Sequence, residues 1–168
     1  MLADLGATGR GSRLPDDPAA FIHAAERVTN AHSLDEILAV YAAEPVLEMV
    51  TEGASARHEG QAAVRAAWVP LVDAFAREGF AVHKTLISAT DGVIVNAWTG
   101  GTRRSASMQG LEVWMFDDQA LVSRHLMHTF VDVQPATSWR ARLRVLLASP
   151  RLSLSLLGAE RRASRGVR

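Results

Sequence analysis

The spacing of the apolar residues changes at Gly79, and that change constrains the fold more than any other feature of the chain. Before it, QAAVRAAWVPLVDAFARE (61–78) carries its large apolar residues three and four apart; after it, they alternate with polar ones. The first period suits one face of a helix and the second one face of a strand. FAVHKTLISAT and VIVNAWTGG flank Asp91-Gly92, and Asp-Gly between alternating runs is a strong hairpin signal. GTRRSA then loops into SMQGLEVWMFD, and Asp118-Gln119 turns that run into ALVSRHLMHTFVDV. A meander of four antiparallel strands is expected after Gly79.

Ahead of the change, PAAFIHAAERVTNA (18–31) places Phe21, Ile22, Ala25 and Val28 on one helical face. Ser33-Leu34-Asp35-Glu36 reads as a capping box, whose Ser and Glu satisfy each other's free backbone N–H groups. It opens a second helix with Ile37, Leu38 and Tyr41 inward, ended by Glu44-Pro45. PVLEMVT alternates as a short strand, with Leu47 and Met49 on one face and a solvated Glu48 on the other. The third helix has Val64, Ala67, Trp68, Leu71 and Phe75 as its stripe, and Pro70 is expected to kink or restart it. The class is α+β: three N-terminal helices packed on a curved, mostly antiparallel sheet.

The 168 residues suit one domain. Without cysteine there is no disulfide, thiolate catalysis or Cys-based metal site. No apolar run is long enough to span a bilayer. MLADLGATGRGSRLPDD lacks the apolar core of a signal peptide, so a cytoplasmic protein is expected. The zero net charge hides an asymmetry. Residues 136–168 carry eight arginines and one acid, whereas the preceding chain holds ten basic and seventeen acidic residues. Lys84 is the only lysine, a bias that fits a high-GC bacterial codon usage. SWRARLRVLLAS is amphipathic, with Trp139, Leu143, Leu146 and Leu147 on one side and arginines on the other, and Pro150 stops it. Residues 1–17 are expected to be a flexible lead-in, 18–135 the domain, and 136–168 a basic amphipathic extension.

Three signposts carry a family resemblance: Tyr41-Ala42-Ala43 before the first strand, Gly60 opening HEGQAAVRAAW, and the final hairpin GLEVWMFDDQALVSRH. With the element order, they make residues from about Phe21 to Asp132 resemble the NTF2-like superfamily, and within it the SnoaL-like domains. Relatives include polyketide cyclases, ketosteroid isomerases, limonene-type epoxide hydrolases and non-catalytic binders. The resemblance implies a cone whose curled sheet and helices enclose an apolar pocket. It also places the ketosteroid isomerase base at Met49, the oxyanion tyrosine near Ala25 and the buried acid at Glu112. Methionine cannot take a proton, so that mechanism is not expected. The last-strand aspartate of the epoxide hydrolases falls at Leu126, and the Val93–Thr99 strand lacks Arg-x-Asp, carrying Asn96 and Trp98 instead.

Glu112 is the leading candidate. If Trp114 and Phe116 point inward, period two sends Glu112 there too, as a pocket acid or base, or only to pair with an arginine. The family alignment turns Val122, Arg124, Leu126, His128 and Phe130 inward, bringing Arg124 or His128 towards Glu112; with the opposite parity, His125 replaces His128. Asn96 and Trp98 together suit a polar ring substituent. Trp68, Trp114 and Tyr41 line a pocket or simply fill the core. His125 and His128 fall on opposite faces of a strand and cannot share a metal, and no phosphate-cradling loop is present. Two functions are open. One is a cofactor-free enzyme acting on a polyketide- or terpenoid-like molecule, with Glu112 catalytic and His128 or Arg124 assisting. The other is a non-catalytic binding or assembly module whose tail contacts a partner or a membrane. A homodimer through the sheet's outer face, a small apolar ligand, no nucleic acid, no metal and no cofactor complete the expectation.

Overall fold

The computed structural model describes residues 12–104, 107–135 and 137–150, in two compact units that divide after Asp132. The first unit contains helices α1 (Pro18–Ala31), α2 (Leu34–Ala39) and α3 (Gln61–Glu78) and strands β1 (Tyr41–Thr51), β2 (Ala54–Glu59), β3 (Ala81–Thr90), β4 (Val93–Gly101), β5 (Met108–Phe116) and β6 (Val122–Phe130). The strands form one curved sheet in the order β2-β1-β6-β5-β4-β3. Only the β1–β6 pair is parallel. The α+β class and the four-strand meander stand as expected.

Local chemistry explains most boundaries. Asp17 caps α1 by accepting from the Ala20 N–H at 2.9 Å, and Pro18 occupies the first turn, where it loses no bond. Asp91 and Gly92 have φ of 50° and 77° between the paired Thr90 and Val93, which is the positive-φ hairpin turn that Asp-Gly favours. Residues 12–17 run along the sheet's turns: the Arg13 N–H donates to the Asp117 carbonyl, and Leu14 packs against the core. Residues 1–11 and 151–168 lie outside the described residues.

Five expectations need correction. First, α2 stops at Ala39, and Tyr41 opens β1 opposite Val122; Glu44-Pro45 sits in the register shift between Tyr41 and Val46, where a strand tolerates proline. Second, β2 is an additional strand, exposed along its length, and its sequence ASARHE has no apolar alternation to reveal it. Third, Ser33 precedes α2 without a side-chain cap bond, and its own N–H donates to the Val28 carbonyl at 3.3 Å. Fourth, α3 does not restart at Pro70 but runs as one helix through it, with Pro70 on the exposed side. Fifth, the parity of β6 reverses. Phe116 pairs with Val122 but Met115 pairs with Arg124, so Ser123 is an extra residue, a bulge. One added residue exchanges the two faces of a strand. Beyond it, His125 and Met127 are buried, while Arg124, Leu126 and His128 belong to the outer face with Leu111 and Glu48.

The core lies on the inner face. Ile22 and Val28 of α1 and Val64, Trp68 and Val72 of α3 cover Leu47, Ile94, Trp114, Phe116 and Met127. Phe21 meets Trp114 and Phe116 edge-on, at centroid distances of 5.3 and 5.2 Å. Phe80, Val82 and Trp98 form a separate small cluster. In the second unit, Trp139–Ala148 forms helix α4, with Trp139 and Leu147 largely exposed.

Candidate functional site

Four strands of the inner face converge on one carboxylate. Glu112 lies opposite Asn96 on β4 and Met127 on β6, while Lys84 of β3 reaches it diagonally. The Lys84 Nζ donates to both Glu112 oxygens, at 2.8 and 2.6 Å, and both side chains are 4% exposed. Asn96 Nδ2 donates to Glu112 Oε2 at 2.8 Å, and Trp114 Nε1 donates to Asn96 Oδ1 at 2.7 Å. An indole N–H can only donate, so it fixes which end of the Asn96 amide faces Glu112. An ion pair held in this way is fully desolvated and depends on every one of these partners.

Lys84 is held from behind by α1. As an edge strand, β3 would expose its free backbone groups, but Asn30 bonds both the N–H and the carbonyl of Val82, and Glu26 accepts from the Lys84 N–H at 2.6 Å. The Lys84 Nζ also sits over the Trp114 ring, 5.5 Å from its centroid. A cation over an aromatic face is favoured, more so when desolvated.

A second chain of polar groups ends beside the first. Trp68 Nε1 donates to the Tyr41 hydroxyl at 3.2 Å, and that hydroxyl lies 2.7 Å from His125 Nδ1. His125 Nε2 faces Glu112 Oε1, 3.9 Å away, and makes no hydrogen bond. The His125 ring stacks on Trp114 with centroids 3.5 Å apart. Burial, reinforced by the Lys84 charge, pushes the His125 pKa well below its ordinary value, so the imidazole is neutral at pH 7. Burial, with a smaller contribution from the Glu112 charge, likewise pushes the Tyr41 hydroxyl far above the usual phenol range, despite the Trp68 bond.

Tyr41, Lys84 and Glu112 border a cavity of about 230 Å³. Phe21, Val28, Ile37, Tyr41, Trp68 and Trp114 form most of its wall, and Lys84 and Glu112 supply its buried polar end. Arg27 and Glu36, paired at 2.9 Å and roughly half exposed, lie at its open end. A second cavity between α2 and α3 is lined by Tyr41 but by no buried carboxylate, lysine or histidine.

Several sequence-predicted residues therefore meet here: Glu112, Asn96, Trp114, Trp68 and Tyr41. Ala25, on the oxyanion-tyrosine position of the resemblance, also lines the cavity, where it adds no donor. Others do not meet it. Arg124 is on the outer face, donating to Glu48 at 2.7 Å, and Arg57 also pairs with Glu48, which is thus a paired rather than a solvated acid. His128 and Leu126 are outer-face residues as well. Trp98 belongs to the small cluster, and Met49 packs at the edge of the main core. Lys84, the central cation, was missed. Its signal is legible nonetheless: Phe80, Val82, Lys84 and Leu86 share one parity, and the chain's only lysine sits among them. Among the described residues, no group of three or more His, Asp or Glu side chains is gathered as a metal site, and no helix is long and apolar enough to cross a membrane.

A curved, mostly antiparallel sheet packed with helices is the architecture of the NTF2-like folds. Residues 20–125 match the SnoaL-like domain family, and the chain belongs to that family. Among solved structures it is similar to a SnoaL-like protein of unknown function from Burkholderia thailandensis, at 24% identity and TM-score 0.54 over 67% of this chain and 93% of that one. A candidate ketosteroid isomerase from Kribbella flavida is 16% identical, with TM-score 0.55 over 72% and 83%. A candidate calcium/calmodulin-dependent protein kinase type II association domain from Thiobacillus denitrificans is 21% identical, with TM-score 0.53 over 72% and 99%. At these identities the likeness establishes the fold, which hosts unrelated functions. No protein of curated function matches the chain.

Proposed function

We propose that this domain is a cytoplasmic protein that binds a small, largely apolar molecule carrying an oxygen acceptor, and performs cofactor-free acid/base chemistry on it. The observation that supports this reading is the Lys84–Glu112 pair at the buried end of the apolar cavity. An ammonium has three N–H donors; two serve Glu112, and the third is suited to a carbonyl or developing oxyanion, where a preorganised charge lowers the barrier most. Glu112, oriented by Asn96, is then beside the same ligand atoms as proton acceptor. Lys84 thus fills the role that the family gives to an oxyanion donor, and Glu112 the role left empty at Met49. The cavity lies below the usual range for drug-sized ligands, which favours one or two rings, as in a terpenoid or a short polyketide. Isomerisation, cyclisation, dehydration and hydrolysis all begin with such a proton transfer.

Exchange of the α-hydrogens of 2-tetralone in D₂O, followed by proton NMR, tests the reading without knowledge of the natural substrate. The native chain should accelerate exchange, and Glu112→Gln, whose amide keeps one of the two acceptor oxygens that Lys84 and Asn96 use, should lower that acceleration by about 10²-fold or more. Undiminished exchange in Glu112→Gln would refute the role. Glu112→Asp, which retains the charge but withdraws it from the ligand, guards against a variant that merely loosens the fold.

A second reading concerns assembly. Leu111 and Phe130 on the outer face are 48% and 47% exposed, more apolar surface than a solvated sheet face requires. We propose a homodimer through that face. Sedimentation should give a dimer for the native chain and a monomer for Leu111→Lys; a monomeric native chain would remove this reading.

A further inference from the structure

We propose that Lys84 forms a covalent iminium adduct with a ketone or aldehyde bound in the cavity, so that the ligand class is a small apolar carbonyl compound. The inference rests on the cavity being the ligand site, as proposed above, and adds a bond that acid/base chemistry alone does not require. Seventeen of the eighteen Lys and Arg side chains are arginines, including Arg124 in the outer-face ion pair, and the exception is, among the described residues, the one that is buried against a cavity. Guanidinium matches a carboxylate better than ammonium does, but it cannot give up its proton and act as a nucleophile, whereas a lysine amine can. A carboxylate waits within 2.8 Å of Nζ to receive the proton, and Asn96 holds that carboxylate in place. Wall residues Trp68 and Trp114 present apolar surface, and the face of Trp114 that now lies under the ammonium would lie under the iminium.

The step balances without any co-reactant. Glu112 takes a proton from the Lys84 ammonium, and the neutral amine adds to the carbonyl carbon, forming the C–N bond. The resulting alkoxide takes a proton from that nitrogen. Glu112 returns its own proton to the hydroxyl, which leaves as water as the nitrogen lone pair closes the C=N bond. Ammonium and ketone have become iminium and water, and Glu112 is a carboxylate again. It can then accept the proton α to the iminium carbon and leave an enamine, a lower-energy route to the exchange described above.

Lys84 is the only lysine, so its adduct is told apart from one on the N-terminal α-amine by the peptide that carries it. The full-length chain is incubated with 2-tetralone and cyanoborohydride, which reduces the iminium to a stable secondary amine, and the mass is mapped by peptide. The expected result is an adduct on the Lys84 peptide, formed at least tenfold faster than on the same lysine in the urea-unfolded chain, absent from that peptide in Lys84→Arg and slowed in Glu112→Asp, with the N-terminal α-amine as the internal reference. The alcohol 2-tetralol, which cannot form an imine, is titrated in parallel by tryptophan fluorescence. If 2-tetralol binds and 2-tetralone exchanges but Lys84 reacts no faster than when unfolded, the covalent proposal fails and the cavity reading stands. If the alcohol does not bind and no exchange occurs, both fall.

Discussion

Two glutamates on opposite faces of one sheet are each held by cations, and the comparison between them separates a working charge from a supporting one. Glu48, on the outer face, is 14% exposed and shared by Arg124 and by Arg57, which is half exposed. Glu112, on the inner face, is 4% exposed and bound by Lys84 and Asn96 beside a cavity. Pairs with one partner near solvent contribute little to stability, because water screens them and long side chains must be ordered. Fully desolvated pairs cost most when only one member is removed. The chain also assigns the two cations differently: arginine, permanently charged, where the role is to clamp; lysine, which can release its proton, where there is a ligand to meet.

The largest expected effect follows from that difference. Lys84→Met or Glu112→Leu alone should cost about 3–5 kcal/mol in denaturant unfolding, because each leaves an unpaired buried charge, and the double substitution should recover most of the loss. Equal losses from the double and the single variants would mean that the pair is not desolvated. By contrast, Glu48→Gln should cost about 1 kcal/mol or less and leave ketone exchange unchanged; a loss as large as that at Glu112 would erase the distinction between the faces.

Between these lies His125. Its folded-state pKa is depressed by burial and by Lys84. As pH falls through the unfolded value near 6.5, the unfolded chain gains a proton that the folded one refuses, and stability drops. The slope is about 1.4 kcal/mol per pH unit for a single group. The stability lost below pH 6.5 should therefore be smaller in His125→Gln by about that slope. Identical pH profiles would mean that the imidazole is protonated in the fold.

Much of this was legible in the sequence, and the misses have physical causes. The meander, the Asp91-Gly92 turn, α1, and the buried Glu112 with Asn96 and Trp114 all follow from periods and turn residues. The face of His125 does not, because a bulge is a fact of pairing: Ser123 looks like any other strand residue until Phe116 and Met115 find their partners. From Val122 a strict period of two turns His128 inward, and one inserted residue substitutes His125. β2 escaped because an exposed edge strand needs no apolar alternation. The role of Lys84 does not follow from composition, where a lone lysine fits codon bias; it follows from its place between Val82 and Leu86 on the inward parity, which marks it as buried.

The most direct test of the central claim, that the Lys84–Glu112 pair is the ligand-facing end of the cavity, uses the same solitary lysine. Labelling lysine Nζ with ¹⁵N gives one side-chain resonance in the whole protein, and it belongs to Lys84. On titration with 2-tetralol that resonance should move saturably, with the same midpoint as the tryptophan fluorescence, as the third N–H takes up the ligand oxygen. A resonance that stays fixed while the fluorescence saturates would place the ligand elsewhere and contradict the account.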